Sequence, residues 1–240
     1  MDNAAGETKA HGFYTLAGVS AVIFVAVILL DIVTSIMAGE AALPGTLSAQ
    51  AVFGIFQSNP FRAFQYLGFL NLVEQMLMLI VVFGFYLSHR QAYKNASTMA
   101  LVIFCIGLSV YAANNVSMPL YYLSVKYQAA DAQLKPLLAS AGEALLARGE
   151  DFTPGSLPGF FLGEVSLFMM LFVMFKAKIF SRLSSIIGIT GGLLLTIFTF
   201  GATLNPPMYN TLMTMSMFGG LLMLGWYVMA ALKFFKLGRK

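Results

Sequence analysis

The sequence predicts an all-α polytopic membrane protein: a bundle of six transmembrane helices with a short amphipathic helix in an outer loop. Three observations predict it. Of the 240 residues, 59% are hydrophobic and only 10% are charged, where a soluble domain carries roughly 25% charge. Mean hydropathy is +0.81, and the apolar residues recur in six blocks, each near the ~20 residues that cross a bilayer core. Lys and Arg collect in short segments on alternate sides of those blocks.

The elements follow in order within one domain, 1–240. The first span runs from Phe13 to Met37; it exceeds the apolar region of a signal peptide and its flank carries Asp2, Glu7 and Lys9, so it reads as a retained helix. An outer loop, 38–63, ends with Asn59 and Pro60, a cap and first-turn proline for a helix that begins outside the membrane. The second span is expected at Phe64 to Phe85 and the third at Thr98 to Met118. In the outer loop 119–156, Leu134, Leu137, Leu138, Ala141 and Leu145 fall at helical spacing, with Gln133, Lys135, Ser140 and Glu143 on other faces. Pro136 either starts this amphipathic helix or breaks it. The stretch Gly149 to Pro158, rich in proline and glycine, reads as a flexible return. Spans four to six are expected at Leu157 to Phe175, Ile179 to Phe200 and Tyr209 to Leu232.

Orientation follows from the basic residues, which resist translocation when they lie close to a span. Lys9, Arg90, Lys94, Lys176, Lys178, Arg182, Lys233, Lys236, Arg239 and Lys240 fall on one side, against Arg62, Lys126, Lys135 and Arg148 on the other. This asymmetry predicts a multi-pass protein of the cell (inner or plasma) membrane with both termini cytoplasmic.

Composition also excludes function classes. The net charge of +4 is accounted for by topology, so no nucleic-acid partner is expected. Cys105 is the only cysteine, which rules out an intrachain disulfide and a thiol metal cluster. His11 and His89 are the only histidines, too few for stacked haems or a His-rich zinc site. There is no nucleophile elbow, Walker loop or dinucleotide fingerprint. No cofactor is therefore expected, and whether a metal binds is left open.

The informative residues are three acids inside the spans, Asp31, Glu74 and Glu164, since a charge at mid-span costs roughly 2.5 to 3.5 kcal/mol on insertion scales. No basic residue shares their depth, so they must protonate, reach water or hold a cation. Asn71, Glu74 and Gln75 share one helix face. Asp31, Glu164, Asn114 and Asn115 fall in the outer halves of their spans. These seven residues form the candidate polar pocket, with an interior hydrogen-bond network as the structural alternative. Ser184, Gly188 and Gly192, with Gly219 and Gly220, form small-residue ladders that let helices approach closely within the bundle.

Several stretches resemble an uncharacterised family of bacterial six-span integral membrane proteins, classed as a domain of unknown function. They are Asn59-Pro60-Phe61-Arg62, Met118-Pro119-Leu120-Tyr121-Tyr122-Leu123-Ser124, Tyr127-Gln128-Ala129-Ala130, the run Leu137 to Ala147, and Lys178-Ile179-Phe180-Ser181-Arg182. The resemblance implies the six-span architecture and carries no activity.

The expected function is therefore a non-enzymatic accessory subunit, or a binding or sensing module with an outward-facing polar pocket. Its expected partners are the lipid bilayer, other membrane subunits, and a small ligand or cation. The alternatives are a cation- or proton-coupled transporter acting through Glu74 and a carboxylate-dependent enzyme acting on lipids.

Overall fold

The structure, a computed structural model, describes residues 2–37 and 45–239; residues 38–44 of the first outer loop lie outside them. Among the described residues the chain is all-helical. The six helices long and apolar enough to cross a membrane are α1 (Asp2–Met37), α4 (Phe69–His89), α5 (Lys94–Asn114), α8 (Leu157–Ala177), α9 (Arg182–Leu204) and α10 (Tyr209–Gly238). Each packs on its neighbour in the chain, and α1 closes on α10, giving an up-and-down ring that α4 and α8 cross inside. The termini, the 90–93 turn and the 178–181 turn share one end, the terminal end.

The other end is capped by four shorter helices, α2 (Ala49–Ser58), α3 (Pro60–Tyr66), α6 (Ser117–Ala129) and α7 (Leu134–Gly149). They enclose their own apolar core, in which Val52, Phe53, Phe56, Leu67, Leu120 and Leu146 are buried.

Local chemistry sets the boundaries. Ser48 caps α2, its hydroxyl accepting from the Ala51 N–H at 3.3 Å, and Ser181 caps α9, accepting from Ser184 at 3.1 Å. Asn59 accepts from the Arg62 N–H at 3.1 Å with Pro60 in the first turn, as the sequence predicts. The helix so started is only α3, however. The chain breaks at Gly68, where φ is +71°, and the second span begins at Phe69 rather than Phe64. The third span likewise shifts to Lys94–Asn114, and α6 follows a break at Asn115 and Val116 where the sequence suggested loop.

Pro136 starts the amphipathic helix: it lies in the first turn of α7. The buried face is not the leucine face. Ala139, Gly142 and Leu146 point inward while Leu134 and Leu137 are exposed. The reason is close packing on α2, since a Cβ on Gly142 would meet Ala49 Cβ at 2.6 Å and the Phe53 ring at 2.9 Å.

The bundle core at the terminal end is aromatic. Phe85 on α4 stacks on Trp226 of α10, with centroids 5.4 Å apart, and meets Phe180 and Phe234 at 5.0 and 4.8 Å. The small-residue ladders serve packing within the chain: Gly191 and Gly219 bring α9 and α10 together so closely that a Cβ on either would meet the other's carbonyl oxygen at about 3 Å.

Candidate functional site

The polar residues of the spans converge at the capped end, on a segment that local composition marks as loop. Residues 150–156 connect α7 to α8, and Glu150, Asp151, Thr153 and Ser156 are all buried, with Glu150 only 2% and Asp151 5% exposed. The flexible return suggested by proline and glycine is instead a plug held in the end of the bundle.

Buried carboxylates need donors, and the neighbouring helices supply them. Asp151 accepts from Asn71 Nδ2 on α4 at 2.5 Å and from the Tyr111 hydroxyl on α5 at 2.8 Å. Glu150 accepts from the Tyr66 hydroxyl on α3 at 2.5 Å and from the Gly45 N–H at 2.7 Å. Burial raises Asp151 from its ordinary value of 3.8 to about 6, against the opposing pull of Asn71 and Tyr111. Burial also raises Glu150, and it raises the Tyr66 phenol, with the adjoining Glu150 carboxylate adding to the effect. Gly68 completes the seat: its φ of +71° favours glycine, and a Cβ there would collide with the Asp151 carboxylate.

Of the seven sequence-derived candidates, Asn71, Asn114 and Asn115 hydrogen-bond to this seat, and Glu74 and Asp31 lie near it with no direct bond to it among the described residues. Asn71 binds Asp151 directly. Glu74, one turn further along α4, lies within electrostatic reach of Asp31 and Asp151. Asp31 accepts from Gln65 Nε2 at 2.7 Å, and the same amide reaches Thr34 and Ser35. Asn114 donates to the Gly155 carbonyl at 3.1 Å, and Asn115 donates to the Leu67 and Gly68 carbonyls at 3.3 Å each. The structure does not bring in the other two. Glu164 faces Thr196 and Thr199 of α9, with one carboxylate oxygen buried and unpartnered. Gln75 makes no side-chain hydrogen bond among the described residues.

Beside this network lies a cavity of about 280 Å³. None of the seven candidates lines it. Its walls among the described residues are the loop residues Phe152, Thr153 and Pro154, the last turn of α9 at Ala202 and Thr203, the turn into α10 at Pro206 and Tyr209, and Gly45 and Thr46. Phe152 has φ of +57°, strained for a non-glycine residue, and its ring packs on Phe198 at 5.1 Å and on Tyr209 at 6.1 Å. Thr203 is 4% exposed and its hydroxyl oxygen has no hydrogen-bond partner among the described residues.

Sequence reasoning thus missed Gln65, Tyr66, Tyr111, Glu150, Asp151 and Phe152. One signal was available, an acidic pair flanked by phenylalanine immediately before a span. No group of three or more His, Cys, Asp or Glu side chains is placed to hold a metal among the described residues. Comparison with protein-family models, curated proteins and solved structures finds no match.

Proposed function

We propose that this chain is a non-enzymatic binding or sensing module of a cell membrane, with both termini cytoplasmic and its ligand seated in the outward-facing cavity at the capped end. The observation that carries the reading is the cavity itself, about 280 Å³, near the lower end of the size of small-molecule sites. It lies against a segment anchored by two buried carboxylates. A wall fixed in this way costs little to organise on binding.

Two features favour binding over the alternatives. No carboxylate or histidine lines the cavity among the described residues, which leaves acid–base catalysis there without its usual groups. Toward the terminal end the bundle core is filled by Phe85, Phe180, Trp226 and Phe234, so the polar network has no continuation along a transport path. An accessory-subunit role draws on a different surface: Met118, Tyr122 and Val125 are exposed at helical spacing on α6 and offer an apolar stripe to a partner or to lipid.

The test fills the cavity. Ala202→Trp places an indole where Ala202 now lines the wall. Wild type and variant are compared by thermal unfolding in detergent against a panel of small amines, alcohols and phosphate esters. At least one compound should raise the wild-type midpoint and leave the variant unmoved; a panel to which both respond alike, or neither responds, overturns the reading.

A further inference from the structure

Near the capped end, α1 carries three oxygen-bearing side chains on one face, Asp31, Thr34 and Ser35, related as i, i+3 and i+4. Opposite them, on the cap helix α3, stands Gln65. All four residues are half-buried, and none of them lines the cavity described above.

The Gln65 amide nitrogen lies 2.7 Å from Asp31 Oδ1, 2.8 Å from the Thr34 hydroxyl oxygen, 3.0 Å from the Ser35 hydroxyl oxygen and 3.0 Å from the Asp31 carbonyl oxygen. Four oxygens close on one point. An amide NH₂ has only two hydrogens, and its nitrogen accepts none, so neither hydroxyl can reverse its bond by donating to Gln65. The Thr34 proton is directed elsewhere, to the Leu30 carbonyl at 2.7 Å. The oxygens therefore outnumber the hydrogens that the amide offers them.

Charge is unmatched as well. Asp31 is met by a neutral amide, no Lys, Arg or His pairs with it among the described residues, and the acid Glu74 lies within electrostatic reach. A carboxylate inside a span needs a proton, water or a cation. Carboxylate, carbonyl and hydroxyl oxygens are the donor set of a hard cation, and one acid without imidazole or thiolate is not a transition-metal site. Spacing then selects the ion. Mg²⁺ draws its oxygens to about 2.0–2.1 Å and Ca²⁺ to about 2.3–2.6 Å, with about 6–8 oxygens around Ca²⁺. Oxygens at 2.7 to 3.0 Å about a single carboxylate suit a larger ion of single charge.

We propose that Asp31, Thr34 and Ser35 form a site for a monovalent cation of potassium's size, and that the Gln65 amide occupies it as an internal substitute. Cation and amide exclude one another. Binding therefore releases Gln65, and with it this side-chain link from α1 to α3, the helix that leads into Gly68 and the Asp151 seat.

The experiment measures equilibrium binding of radioactive rubidium, a potassium surrogate, to the full chain in detergent at constant ionic strength, with N-methylglucamine as the inert cation. Wild type should bind rubidium saturably, and potassium should displace it better than sodium. Asp31→Asn, which keeps shape and hydrogen bonding but removes the charge, should abolish binding. Thr34→Val and Ser35→Ala each remove one oxygen and should weaken it, which keeps the test open should Asp31→Asn fold poorly. Gln65→Ala separates an internal substitute from a structural bridge. With the competitor gone, rubidium should bind about tenfold more tightly, the order expected when a hydrogen bond to a charged group no longer opposes it; a bridge alone would leave affinity unchanged and only lower the unfolding midpoint. Gln65→Leu, which keeps the volume without the donor, is the second variant at that position. No saturable binding by wild type, or binding that survives Asp31→Asn or is unmoved by both hydroxyl variants, overturns the site. Sodium displacing rubidium better than potassium overturns the assigned size, and unchanged or weaker binding in both Gln65 variants overturns the substitution. Ala202→Trp reports on the cavity and Asp31→Asn on this site, so either reading can fail while the other stands.

Discussion

Gly188, Gly192 and Gly220 form a graded series for testing how tightly the helices are packed. A Cβ added at Gly188 would lie 2.5 Å from Leu171 Cδ2 and 2.9 Å from Cδ1 and Nε1 of Trp226. Leu171 and Trp226 are fully buried, so neither has room to retreat, and Trp226 is also stacked on Phe85. Overpacking of this kind costs about 1 to 3 kcal/mol, more than the roughly 1 kcal/mol that alanine gains over glycine in a helix. At Gly192 the nearest atoms, on Leu167 and Phe168, lie at 3.5 and 3.6 Å, ordinary contact; at Gly220 nothing lies within 4 Å. Gly188→Ala should therefore lower the unfolding midpoint, by up to about 8 °C at the scaling for chains of this length. Gly192→Ala and Gly220→Ala should hold or raise it. The assay is thermal unfolding in one detergent, read by intrinsic fluorescence and by loss of monodisperse protein. If Gly188→Ala is as stable as Gly220→Ala, the close α8–α9–α10 packing is wrong.

Asp151 supplies a pH test. Its folded value of about 6 lies above the ordinary 3.8, so the fold favours the protonated acid. Stability is therefore fully present below about 4 and is lost as pH rises through about 6, by about 3 kcal/mol. Asp151→Asn should flatten that part of the midpoint-against-pH curve, and an unchanged slope would remove Asp151 as its source. Phe152 tests backbone strain: at φ +57°, Phe152→Gly should be more stable than Phe152→Ala by about 1 kcal/mol, the reverse of the usual order, with chemical unfolding as the measure. For the proposed orientation, cysteine at Ser140 should react with an impermeant thiol reagent on intact cells in a Cys105→Ser background, and cysteine at Gln91 should not. Both positions are exposed, and the opposite labelling pattern would reverse the topology.

How far the sequence reveals this fold depends on whether the cause of a feature is local. The six long helices were legible because their cause is hydropathy along one segment, and the Asn59 cap because its bond spans three residues. The break at Gly68 was not, because what demands glycine there is Asp151, far along the chain. The buried face of α7 misled for the same reason: amphipathic spacing selects leucines, whereas the real constraint is the Phe53 ring pressing on Gly142. Among the candidate residues, Asn71 was legible as polar and inward. Its partner Asp151 was hidden in a segment whose proline and glycine imply solvent, a rule that holds only when no donors are available to satisfy a buried loop.

The plug and the cavity arise together. Two adjacent carboxylates can be buried at the end of an apolar bundle only if donors reach them from more than one helix, and α3, α4 and α5 each contribute one. Those bonds hold Glu150 and Asp151, and the turn that places both acids inward is completed by Phe152 at positive φ. The Phe152 ring is thereby carried onto Phe198 and Tyr209, and the small residues after it, Thr153 to Ser156, do not fill the space beside it. A hollow next to a strained aromatic residue is thus the cost of seating the acids. Strain retained where a simpler loop would serve points toward use of the site, and one of the four donors that satisfy the carboxylates, the Gly45 N–H, belongs to the cavity wall.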